Sequence, residues 1–160
     1  MDCIQIKEVK VFMGKLLMKT DFDRYLLSEA EIVTSNTYTI DGHIQKKFYS
    51  SEEYESLGCP VMAEWGKIRP LCFEIIKGNK TPVRFKIVLR LNDEETETLV
   101  AQNEIGFQKT DIGGLYLNIV YENDVLNCIT GTALNIFTMD KSLEKLWDSR
   151  VRKELQEVSQ

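Results

Sequence analysis

Apolar residues recur along this chain in two rhythms, and the changes from one to the other mark out its elements. "CIQI" at the start alternates like a short strand. In "KEVKVFMGKLLMK", Val9, Phe12, Met13, Leu16 and Leu17 fall at helical spacing, with Lys7, Lys10 and Lys15 on the other face. "FDRYLLSEAEIVTS" then reads as a strand, followed by "TYTI", Asp41-Gly42 and "HIQKKFY". Asp-Gly suits the positive φ angles of a two-residue hairpin turn. The pattern over residues 3–48 therefore predicts strand, helix and a three-strand meander.

Residues 51–61 read as a connection with one helical turn. "MAEWGKIRPLCFEIIKG" predicts a connecting helix over 62–77, with Trp65, Ile68, Leu71, Cys72, Ile75 and Ile76 on one face. Pro70 either kinks it or opens its second part, and Gly78 stands where a C′ glycine belongs. "PVRFKIVLRL" is a strand with Phe85, Ile87, Leu89 and Leu91 on one face and Arg84, Lys86, Val88 and Arg90 on the other. "NDEETETLVAQNEIG" reads as a helix capped by Asn92 or Asp93, with acids in the first turn, where the helix dipole favours them. "GGLYLNIVY" and "VLNCITG" predict a hairpin around Glu122, Asn123 and Asp124, and "TALNIFT" is a third strand or the bent end of the second. The C-terminal segment, 140–157, is an amphipathic helix striped by Leu143, Leu146, Trp147, Val151 and Leu155. Asp148 with Arg152, Arg150 with Glu154 and Lys153 with Glu157 are expected as i,i+4 pairs on its solvent side.

Residues 3–48 and 83–138 thus share one element order, strand–helix–strand–strand–strand, without any repeated amino-acid motif. The expected fold is α+β: a single domain over 1–160, with a mostly antiparallel sheet from these two pseudo-repeat halves and helices packed on one side. Trp65 and Trp147 are expected to fill its core.

Composition narrows the chemistry. The 160 residues are 43% hydrophobic and 28% charged, with a formal net charge of −5. That charge disfavours whole-surface attraction to nucleic acid or an acidic membrane. No apolar run approaches the roughly 20 residues needed to cross a bilayer. The first residues, "MDCIQIKEVK", lack a basic segment followed by an apolar one, so the expectation is a cytoplasmic protein. The four cysteines, Cys3, Cys59, Cys72 and Cys128, form no close-spaced pair, and His43 is the only histidine. Neither a metal site nor a cofactor is implied, and the thiols read as small buried hydrophobes. Met13, Met18, Met62 and Met139 read as core or near-core.

The segment "KGNKTP" is not a phosphate loop. Its one glycine follows a helix and precedes a strand, the reverse of the order that aims backbone N–H groups at phosphate. The better binding candidate is the basic row Arg84, Lys86 and Arg90, with Lys77 and Lys80 nearby; its alternative is a solvated face paired to acids such as those at 94–97. A second basic candidate is the helix face of Lys7, Lys10 and Lys15. Asp21 and Asp23 read as turn residues, Thr130 to Thr132 as a bulge or close backbone approach, and His43 as exposed. No nucleophile, base and orienting group converge, so no catalytic residue is assigned.

Five segments, at 7–17, 29–42, 69–89, 114–123 and 130–148, together resemble an uncharacterised bacterial family of unknown function found chiefly in clostridia. The resemblance carries no activity, substrate or cofactor. The paired strand–helix–three-strand units also resemble, in architecture alone, the repeating unit of processivity-clamp domains. The reading is of a non-catalytic cytoplasmic domain that binds a protein partner. Two alternatives stay open: a clamp-like nucleic-acid-associated protein, and an enzyme whose site is built from dispersed carboxylates.

Overall fold

The computed structural model describes residues 1–158. Seven strands form one antiparallel sheet: β1 (Cys3–Ile6), β2 (Tyr25–Val33), β3 (Thr37–Asp41), β4 (Ala63–Glu64), β5 (Arg84–Leu91), β6 (Ile112–Glu122) and β7 (Val125–Leu134). Their order is β1-β7-β6-β5-β2-β3, with β4 added to one end of β2. The helices are α1 (Val9–Leu17), α2 (Ser51–Ser56), α3 (Trp65–Ile76), α4 (Asp93–Gln102) and α5 (Ser142–Val158). The class is the α+β expected.

Alternation along the strands sorts the sheet into two faces. Phe85, Ile87, Leu89 and Leu91 of β5 lie beside Leu115, Leu117, Ile119 and Tyr121 of β6 on the inner one, and all are buried. On β2 the inward residues change parity, from Tyr25 and Leu27 to Ala30 and Ile32. A bulge between Leu27 and Glu29 absorbs the extra residue and keeps both pairs on the core side. Phe12, Leu16, Trp65, Cys72, Leu99, Leu143, Trp147, Val151 and Leu155 cover that face from the helices. The two buried tryptophans are also anchored by their indole N–H groups: Trp65 donates to the Leu16 carbonyl at 3.0 Å and Trp147 to the Tyr116 carbonyl at 2.9 Å. The outer face carries Arg84, Lys86, Val88, Asn118, Val120, Asn127 and Ile129.

The strand expected at "HIQKKFY" is not formed. Asp41-Gly42 is not a hairpin turn, and neither residue has positive φ. Instead Gly42 continues the pairing: its N–H donates to the Ser28 carbonyl at 2.9 Å and its carbonyl accepts from Ala63 at 2.8 Å. A Cβ there would stand 1.8 Å from the Leu27 carbonyl oxygen, so the glycine serves a close backbone crossing. The β2–β3 turn lies at 34–36 instead, closed by Thr34 N–H to the Asn36 carbonyl at 2.9 Å. Residues 43–49 supply one bridge, His43 to Met62, and a 3₁₀ turn. "TALNIFT" is the end of β7, which stops at Leu134. The β6–β7 hairpin is where its pattern put it, with Asn123 and Asp124 at φ of 54° and 63°.

The halves also pair differently. β5 and β6 are neighbours within the second half, whereas β1 leaves its own half and closes against β7. Pro70 sits inside α3 on its exposed side, and Gly78 follows that helix at a φ of 138°.

Candidate functional site

The basic row on the outer face of β5 does not stay free. Arg84 pairs with Glu31 on the adjoining strand at 3.0 Å. Arg90 turns over the end of β5, donating from Nη2 to the Gly113 carbonyl at 3.1 Å and forming an ion pair with Asp93 at 3.1 Å. Its partner is Asp93, not an acid at 94–97, where Glu97 holds Lys109 and Glu95 lies 4.0 Å from Arg150. Lys86, exposed like Arg84, is the member of the row without an ion pair among the described residues, opposite Val120 on one side and Glu31 on the other.

The second basic set, Lys7, Lys10 and Lys15, disperses as well, and Lys7 lies before α1 begins. Lys7 lines a crevice with Arg152 and Leu155. Lys15, five residues beyond Lys10, lies about 140° farther round the helix. Lys10 instead meets Lys77 and Lys80, residues the sequence assigned to the other basic set.

These three lysines rim a trough between α1 and α3. It consists of two adjoining crevices, of about 220 and 250 Å³, that share Lys10, Met13 and Ile76. One runs over Val9, Phe85 and Tyr121 to Gly78, Lys80 and Pro82. The other runs over Leu17, Met18 and Phe73 to Lys77. The local causes are plain. Phe12, Leu16 and Leu17 fix α1 to the core, so the adjacent face with Lys10, Met13 and Gly14 lies along α3. Helix α3 ends at Ile76, and the turn through Gly78 that follows carries Lys80 back over the start of β5. Phe85 and Tyr121 stack there, with ring centres 5.3 Å apart, and form part of the floor.

Charge on the rim is positive. Lys77 contacts Glu74 at 2.6 Å and lies 5.9 Å from the centre of the Phe73 ring. Lys10 and Lys80 make no ion pair among the described residues. Two methionines expected in or near the core are exposed: Met18, at 64% on the trough wall, and Met139, at 82% in the connection before α5. The trough was hidden in the sequence because Lys10 and Lys80 meet only when α1 packs on α3. Met13 and Met18 beside lysines on one amphipathic helix were the available signal.

Other candidates take structural roles. Asp23 accepts two hydrogen bonds from Arg69, at 2.9 and 3.2 Å. Thr130 donates to Asp148 at 2.6 Å and accepts from the Asp2 N–H at 2.7 Å, tying the N-terminus to α5. His43, half exposed, contacts Asp41 at 2.6 Å, and its backbone N–H also bonds that carboxylate, holding the Asp41 pKa below its usual value.

Glu154 is the largest departure from expectation. It lies in the buried stripe of α5, not on its solvent side, and Tyr25 donates to it at 3.1 Å. Burial raises its carboxyl pKa against the pull of Arg24 and Arg150. Glu154 lines none of the crevices described here, so the dispersed-carboxylate reading gains no assembled centre from it. No group of three His, Cys, Asp or Glu side chains among the described residues is placed to hold a metal ion. No helix among them is long and apolar enough to cross a membrane.

The model of one protein family matches residues 15–159, and the chain belongs to it: Family of unknown function (DUF5721). No curated protein and no solved structure matches.

Proposed function

We propose that this member of a family of unknown function is a protein-interaction domain whose α1–α3 trough receives an acidic, amphipathic helix of a partner. One observation carries the reading: Lys10, Lys77 and Lys80 converge on an apolar, methionine-lined concavity in a chain of net charge −5. An amphipathic helix laid in such a groove buries its apolar face on the floor and sets flanking acids against the rim. Flexible methionines let the floor fit more than one apolar sequence. Duplex DNA suits the site less, because phosphates gain nothing from an apolar floor. A bilayer suits it less too, because a concave trough cannot insert into a flat surface. The connection of β1 to β7 across the whole sheet supports treating the chain as one domain. All four cysteines are unpaired in the structure, which fits a reducing, cytoplasmic setting.

The test uses a labelled 18-residue helical peptide of leucine and glutamate, followed by fluorescence anisotropy at low salt. The expected result is a dissociation constant of about 1–100 μM. It should weaken about tenfold in Lys10→Glu/Lys80→Glu and weaken again with added salt. A peptide that fails to bind, or tighter binding to duplex DNA or anionic vesicles, would overturn the reading.

A further inference from the structure

At the opposite end of β5 from the trough, a cleft of about 360 Å³ opens between α4, the connection after it and the start of β6. That volume is within the range of small-ligand sites, roughly 300–1,000 Å³. Its floor is apolar: Val100, Ile105, Phe107 and Ile112. Two ion pairs span its rim, Arg90 with Asp93 at 3.1 Å and Lys109 with Glu97 at 2.8 Å.

The pairs are arranged by sign. Both acids stand one turn apart on α4, about 6 Å between their Cβ atoms by helix geometry. Both cations face them from other elements: Arg90 from β5, Lys109 from the 3₁₀ turn Lys109–Asp111. The rim is therefore neutral overall, with an anionic wall and a cationic wall on either side of an apolar floor.

Arg90 is fixed in this position. Its side chain is only 17% exposed, and its Nε rests where a Cβ on Gly114 would come within 2.6 Å. Nε is buried without an acceptor, and only Nη2 is engaged among the described residues, so the guanidinium keeps donor capacity in a partly dehydrated setting. The Lys109–Glu97 pair and the Asp93 carboxylate are solvent-exposed, and exposed ion pairs contribute little to stability, so exchanging those contacts for a ligand's own charges costs little.

We propose that the cleft binds a small amphipathic zwitterion, an apolar α-amino acid. Its carboxylate sits between Arg90 and Lys109, its ammonium between Asp93 and Glu97, and its side chain on Phe107. The planar fork of Arg90 matches a carboxylate. A zwitterion replaces both rim pairs at once. An anion alone would leave Asp93 and Glu97 without counter-charges, and a cation alone would strand Arg90 and Lys109; specificity follows from groups left unpaired.

The probes are L-phenylalanine, 3-phenylpropionate and phenethylamine, titrated into the whole chain while the backbone amide resonances of Val100, Phe107 and Ile112 are followed. L-phenylalanine is expected to shift them with a dissociation constant of about 0.1–1 mM. Each single-charge analogue should bind at least about tenfold more weakly. Glu97→Gln and Lys109→Met, at exposed positions, should each weaken L-phenylalanine about tenfold while leaving the melting temperature unchanged. Equal binding of 3-phenylpropionate and L-phenylalanine would overturn the assignment. So would unaltered affinity in Glu97→Gln, or no shift with L-phenylalanine up to about 20 mM.

Discussion

Tyr25, the first residue of β2, donates its phenolic hydrogen to Glu154 on the last turns of α5 across 3.1 Å, and both side chains are buried. Burial and the neighbouring carboxylate push the Tyr25 phenol well up, so it stays a donor at ordinary pH. The second carboxylate oxygen, Oε1, has no hydrogen-bond partner among the described residues, and the guanidinium of Arg24 lies 3.8 Å from it.

A pH dependence follows from the raised Glu154 pKa. As pH rises, the unfolded chain ionises this carboxyl first, and the folded chain holds its proton to higher pH. Its contribution to stability is therefore greatest in acid and is lost as pH rises through the folded pKa. Glu154→Gln keeps an acceptor for Tyr25 and removes the ionisation. The variant should be more stable than the parent near pH 7 by about 1 kcal/mol, and the difference should vanish below about pH 4. Chemical denaturation at the two pH values measures both. A variant less stable at pH 7 would contradict the account.

Trp147 is fully buried and its indole N–H is satisfied by the Tyr116 carbonyl. Trp147→Ala should cost about 3–5 kcal/mol, because it opens a cavity and strands that carbonyl. Equal denaturation midpoints for variant and parent would refute the packing described for α5.

Arg84 is half exposed and its partner Glu31 is 43% exposed. The pair is worth little in water, and Arg84→Ala should change stability by less than about 0.5 kcal/mol. A larger loss in denaturant titrations would mean that this face is covered in solution.

The cysteines divide into two classes. Cys3 and Cys59 are exposed, whereas burial pushes the Cys72 thiol up to about 11 and the Cys128 thiol up to about 12. A thiol-specific reagent at pH 8 should react rapidly with two groups in the native protein and with four after unfolding. Rapid reaction of all four in the native state would contradict the burial of α3 and β7.

How much of this was legible in the sequence depended on how local the cause was. The inner face of β5, the Asn123-Asp124 turn and the stripe of α5 follow from periodicity and backbone preference within a few residues. Asp41-Gly42 misled because its glycine answers to the crossing at Leu27 and to pairing with Ala63, both remote in sequence. Glu154 was readable: it is three residues after Val151 and seven after Trp147, so it falls inside the apolar stripe. Charge had suggested the solvent side, but the position had the stronger claim, since Tyr25 and Arg24 meet it there. For the trough, Lys10 and Lys80 were each visible as exposed basic residues. Their meeting depends on α1 packing on α3, which no local pattern encodes.

The most direct test of the interaction reading maps the acidic helical peptide onto the protein by backbone amide shifts. The account predicts perturbations concentrated at Met13, Gly14, Phe73, Ile76 and Gly78, with Val120 and Asn127 on the outer sheet face unmoved. Shifts centred on that outer face, or no shifts at saturating peptide, would contradict it.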